Sequence, residues 1–181
     1  RYDFDKTDDP IPTQVTNNTN NAGNGGPIVT PGNGGGGSTQ GSDLASFSLT
    51  SSSTSVTAGQ EFSVKILART DKDSANLFVA KLNFPKDVLE VVSLVKSNSF
   101  IMSWTEEFYD NATGKISLVG GIPTPGFKTL GTGAEMVTIK FKAKIAQTAN
   151  IDFDPQSVIY RDSDNENILN FTSHGTTINI N

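Results

Sequence analysis

From Leu44 onward, apolar residues alternate with polar ones in short runs broken by turn formers. Phe62, Val64, Ile66 and Ala68 alternate with Ser63, Lys65, Leu67 and Arg69, the period-2 signature of a strand with one buried face. Phe78, Ala80, Leu82 and Phe84 repeat it, as do Val137, Ile139, Phe141 and Ala143 with Thr138, Lys140, Lys142 and Lys144 between and after them. Further strand candidates are Phe47 to Thr50, Val88 to Leu94, Trp104 to Tyr109, Lys115 to Gly120, Ala149 to Phe153, Ser157 to Tyr160 and Thr176 to Ile180. Asn111-Ala112-Thr113-Gly114 reads as a hairpin turn, with Gly114 free to take a positive φ. No segment carries a 3.6-residue apolar stripe, so the pattern predicts an all-β fold of about nine strands. A two-sheet antiparallel sandwich is the expected form, with a closed barrel as the alternative.

The first 42 residues read differently. Residues 1–15 are charged and interrupted by proline, and residues 16–42 are almost purely Asn, Gly, Thr, Ser and Pro; nine of the chain's 17 glycines fall between Gly23 and Gly41. Such a stretch cannot bury a core and is expected to be a disordered, flexible spacer with a root-mean-square span of about 30 Å. The expected division is therefore a tail over 1–42 and one folded domain over 43–181. Arg1 in place of methionine suggests a processed or a trimmed chain, and a preceding signal or anchor is one expected origin.

Composition narrows the chemistry. Fourteen Lys and Arg against 19 Asp and Glu give a net charge of -5, which argues against a nucleic-acid partner. With no cysteine, thiol nucleophiles, disulfides, Cys-ligated zinc and iron–sulfur clusters are excluded. The single histidine, His174, removes multi-His metal sites and leaves a Ser-His-Asp triad to rest on one residue. No run of about 18 apolar residues exists to span a membrane.

Four segments, taken in order, carry a family resemblance. Ala58-Gly59-Gln60-Glu61-Phe62-Ser63-Val64 is followed by the corner Phe84-Pro85-Lys86-Asp87-Val88-Leu89-Glu90-Val91. Gly114-Lys115-Ile116-Ser117-Leu118 comes next, then Gly131-Thr132-Gly133 ahead of Val137-Thr138-Ile139-Lys140-Phe141-Lys142-Ala143. In this order the chain resembles the cohesin family over residues 46–181. The resemblance implies a nine-stranded, jelly-roll-like sandwich related to some carbohydrate-binding modules. It also implies a noncatalytic role in which one flat sheet face receives a dockerin, with the module at the cell surface or outside the cell and no cofactor required. Leu77 and Val79 stand where dockerin-binding cohesins commonly carry Asn and Asp.

Alternation places Leu77, Val79 and Lys81 outward on one strand, Lys115, Ser117 and Val119 on the next, and Thr138, Lys140 and Lys142 on another. Gathered on one face, these residues are expected to form an apolar centre with a basic rim, suited to an acidic or mixed partner. Three other constellations invite chemistry. Asp162, Asp164 and Glu166 cluster hard oxygen donors of the kind calcium takes, although the sharp-turn glycine and distant glutamate of an EF-hand are missing. Glu106 and Glu107 supply two carboxylates but, as neighbours on a strand, point to opposite faces and cannot flank a sugar bond together. Trp104 and Phe108 share a face by period-2 counting, with Tyr109 on the other, which makes a polysaccharide-stacking platform the leading alternative to protein docking. A structural spacer domain of a surface or filament protein is the remaining alternative. Phe127, in the Gly/Pro-rich crossover from Gly120, is expected to plug one end of the sandwich.

Overall fold

A computed structural model describes residues 45–170 and 175–181. The expected spacer over 1–42, the boundary at 43 and His174 lie outside the described residues.

Every strand candidate forms a strand. The elements are β1 (Ser46–Ser51), β2 (Ser55–Val56), β3 (Glu61–Arg69), β4 (Ala75–Asn83), β5 (Leu89–Val95), β6 (Ser103–Asp110), β7 (Lys115–Gly121), β8 (Ala134–Ala143), β9 (Ala149–Phe153), β10 (Val158–Arg161) and β11 (Thr176–Ile180). The two-residue β2, too short to carry a period, is the addition; it pairs parallel with β11 at Asn179 and Ile180.

The strands divide into two sheets, one ordered β1-β3-β8-β5 and the other β2-β11-β9-β4-β7-β6, with β10 also paired to β4. Their inner positions interlock to make the core. Val64, Ile66, Ile139 and Phe141 come from the first sheet, Phe78, Leu82, Ile116 and Leu118 from the second, and all are essentially fully buried. Each such side chain contributes about 1.5–3 kcal/mol relative to exposure. Ring pairs tie the layers together: Phe47 stacks on Phe153 at 5.5 Å, and Phe84 meets Phe141 edge-on at 5.5 Å. At one end Phe127 stacks on Phe100 at 4.5 Å, and Phe100 meets Phe78 at 4.9 Å, so Phe127 is the end plug its position suggested.

Two local devices shape the surface described next. One edge of β4 is shared: β9 pairs with Leu82 and Asn83, and β10 with the stretch from Ala75 to Val79. At the handover the buried Ser157 hydroxyl accepts from Lys81 N at 3.0 Å and donates to Lys81 O at 3.1 Å, replacing the ladder where no strand lies alongside. At the far end of β7, the β6–β7 hairpin turns through Gly114 at φ 71°, closed by Gly114 N to Asp110 O at 2.9 Å. Among the described residues no helix is long and apolar enough to cross a membrane.

A candidate docking face

Directly paired residues of neighbouring strands share a face, so the ladder registers define four rows across the outer side of β10, β4, β7 and β6. The first row is Tyr160, Leu77, Gly121 and Ser103, and the second is Val158, Val79, Val119 and Glu106. The third runs Lys81, Ser117 and Phe108; the fourth crosses from Asp152 on β9 through Asn83 and Lys115 to Asp110. Leu77, Val79, Val119, Val158 and Tyr160 are half-buried, and Phe108 is 52% exposed. One half of the face is thus apolar and the other polar.

Six of the nine face residues named from the sequence, Leu77, Val79, Lys81, Lys115, Ser117 and Val119, stand together here. Thr138, Lys140 and Lys142 do not. They lie on β8 in the other sheet, and their outward positions face the opposite way. Alternation separates inward from outward but says nothing about which sheet a strand joins. On β8 the outward residues belong to a separate charged surface: Lys142 stands opposite both Glu61 and Glu90, 3.8 Å from the Glu90 carboxylate, and Thr138 donates to Glu135 at 2.7 Å. The expected basic rim is therefore corrected. Lys81 and Lys115 share their half of the face with Asp110, Asp152 and Asp154, and Glu106 stands at its border, so acid is in excess.

That polar half holds a depression of about 240 Å³, walled by Phe108 and lined by Lys81, Lys115, Glu106, Asp154 and Gln156 among others. Its lysines bond to amides: Lys81 Nζ donates to Gln156 Oε1 at 2.9 Å, and Lys115 Nζ to Asn83 Oδ1 at 3.3 Å. Asp154 accepts from Gln156 N at 2.9 Å and from Asn83 at 3.3 Å. The Gln156 amide most of all, then Asn83 and the two lysine charges, outweigh the effect of burial and hold its carboxyl below the usual range.

Trp104 and Phe108 do not form a pair of coplanar exposed rings. A register shift between Trp104 and Glu106 inserts one residue, which sends Phe108 outward opposite Ser117 while Trp104 stays inward opposite Gly120. Trp104 packs on the core, and a Cβ at residue 120 would stand 3.3 Å from its ring and 2.5 Å from Ile101 Cγ2, so only glycine fits beneath it. Lys96 sits 5.5 Å from the Trp104 ring centroid and bonds Glu107, which faces away from Glu106. The hidden bulge is why Phe108 was misplaced. Val158 and Tyr160 were not named from the sequence; the alternation of β10 about the apolar Ile159 was the signal that could have found them.

In the acidic loop, Arg161 takes the charge that a cation would need. Its guanidinium donates to both oxygens of Asp164, at 3.0 and 2.8 Å, bonds Glu166, and lies 3.6 Å from Asp73. The Arg161 hydrogen bond holds the Asp164 carboxyl below its ordinary range. Asp162 is turned aside, accepting from Thr124 at 3.0 Å. Among the described residues no three acidic or imidazole side chains converge as a metal site requires.

Solved structures share this arrangement of strands. The third ScaC cohesin of Acetivibrio cellulolyticus, determined in complex with the ScaB dockerin, aligns with a TM-score of 0.59 at 18% identity, over 76% of this chain and 99% of that one. The fold is that of a cohesin module. The seventh ScaB type I cohesin of Pseudobacteroides cellulosolvens aligns with a TM-score of 0.60 at 16% identity, over 76% and 92% of the two chains. A non-cellulosomal cohesin from the archaeon Archaeoglobus fulgidus gives 0.56 at 14%, over 76% and 91%. No family model and no curated protein matches the sequence. At these identities the shared property is the cohesin-like fold.

Proposed function

We propose that this chain is a noncatalytic docking module, displayed outside the cell or at its surface, that receives a protein partner on the outer face of β10, β4, β7 and β6. The observation that carries the reading is the pair of rows containing Leu77, Val79, Val119, Val158 and Tyr160, an apolar surface on a sheet whose other side is already buried. The cohesin-like fold supports it, since a structural neighbour was solved with a dockerin bound. The acid excess at the polar end favours a partner that brings apolar side chains together with lysine or arginine, in place of the acidic or mixed partner suggested by the sequence. The extracellular setting is supported by the Asn/Gly-rich composition of residues 16–42.

The test is titration calorimetry of the full chain against a panel of dockerin modules, repeated with Val79→Asp and with Lys140→Glu on the opposite sheet. At least one dockerin should bind, and Val79→Asp should weaken it by about thirtyfold, the effect of losing roughly 2 kcal/mol at a central contact. Lys140→Glu should leave it unchanged. Binding by none of the panel, or equal loss in both variants, contradicts the reading.

A further inference from the structure

The apolar end of the docking face is indented. In the row Tyr160, Leu77, Gly121, Ser103, two adjacent strands contribute a hydrogen atom and a short hydroxymethyl group where large side chains would otherwise stand. The surface dips beside Leu77 into a broad, open recess of about 420 Å³. Leu77, Ile122 and Pro123 give it aliphatic surface, Ser103, Thr124 and Asn165 give uncharged polar groups, and no charged residue lines it.

The wall is held in place. Ile122 N donates to Asn76 O at 2.8 Å, Met102 N to Gly121 O at 3.2 Å, and the Thr124 hydroxyl to Asp162 at 3.0 Å. A pocket fixed in this way loses little freedom on binding. Ser103, Thr124 and Asn165 bring to the lining oxygens that can accept a hydrogen bond.

We propose that this pocket receives an aromatic side chain that carries its own hydrogen-bond donor, a tyrosine or tryptophan, from the protein partner docked on the face. The inference rests on the docking reading and specifies the anchor. An aliphatic surface with uncharged polar groups around it matches a ring with a polar tip, and such residues dominate buried anchors at interfaces. A charged side chain would find no counter-charge in the lining. A sugar would find no aromatic ring to stack on, since none lines the pocket.

The probe is N-acetyl-L-tyrosinamide, titrated into the methyl-labelled full chain and followed by NMR. N-acetyl-L-phenylalaninamide and cellobiose serve as comparisons, and Gly121→Val and Ser103→Leu as variants that fill the recess from two different strands. A Cβ at residue 121 meets its nearest atom, the Asn76 backbone oxygen, at 3.3 Å, so that oxygen must give by a few tenths of an ångström. The tyrosine amide should give saturable shifts at the Leu77 and Ile122 methyls, with the phenylalanine amide at least about threefold weaker. Either folded variant should weaken the response by about tenfold or more. Absence of saturable shifts, a stronger response to cellobiose, or full retention in both variants overturns the proposal. The titration needs no partner, so loss of the anchor and failure of the docking panel are read separately.

Discussion

Replacing Trp104 or Phe108 by alanine separates two registers of β6. With the bulge between Trp104 and Glu106, Trp104 is a core residue: it packs on the buried cluster, covers Gly120 and holds Lys96 over its ring. A fully buried tryptophan costs about 3–5 kcal/mol when truncated, and a half-buried one roughly half of that, about 2 kcal/mol. Losing the Lys96 contact adds about 0.5–1 kcal/mol. For a folded region of this size, a total near 2.5 kcal/mol lowers Tm by about 10 °C. Phe108 is 52% exposed, and its removal falls within about 0.5 kcal/mol, or about 2 °C. Scanning calorimetry on the two variants and the parent reads both values, and does not depend on the only tryptophan as a fluorophore. In a regular strand both rings would share one face and behave alike. Equal Tm shifts for Trp104→Ala and Phe108→Ala would refute the bulged register, and with it the position of Phe108 on the docking face.

Gly114→Ala should cost well over 2 kcal/mol by urea unfolding, because the left-handed backbone at φ 71° costs about 1–2 kcal/mol and the added Cβ would lie 2.2 Å from Phe84 O. Gly131→Ala, at φ 68° with nothing within 4 Å of the added atom, should show the backbone cost alone. Acidification should destabilise the fold. Hydrogen bonds hold the Asp110, Asp154 and Asp164 carboxyls below their ordinary values, and at Glu135 burial pushes up while Lys65 and Thr138 outweigh it. Depressed acids contribute stability that is complete above the unfolded-state values near 4 and is lost as pH falls through the lower folded-state values. Tm should accordingly be flat above about pH 5 and drop below about pH 4; a Tm that rises on acidification would contradict these assignments.

The strands were legible because each carries an inward apolar set at period 2, and ten candidate runs became ten strands. Sheet membership was not legible. Lys140 and Lys142 alternate as regularly as Lys81, and only the pairing of β8 with β3 and β5, against that of β4 with β7 and β10, assigns them to opposite sides of the sandwich. The β6 bulge left no trace either, since Thr105 between Trp104 and Glu106 is an ordinary strand residue. In the acidic loop the sequence displays carboxylates, but the fold decides that Arg161 is the cation they meet. The recess beside Leu77 was equally hidden, because it arises from Gly121 and Ser103 meeting across two strands in one row.

Hydrogen–deuterium exchange of the full chain, with and without a saturating dockerin from the panel, tests the central claim most directly. Protection should concentrate in β4, β6, β7 and β10, around Val79, Val119, Phe108 and Tyr160. Protection centred on β3 and β8, around Lys65, Lys140 and Lys142, would place the partner on the opposite sheet and contradict the account.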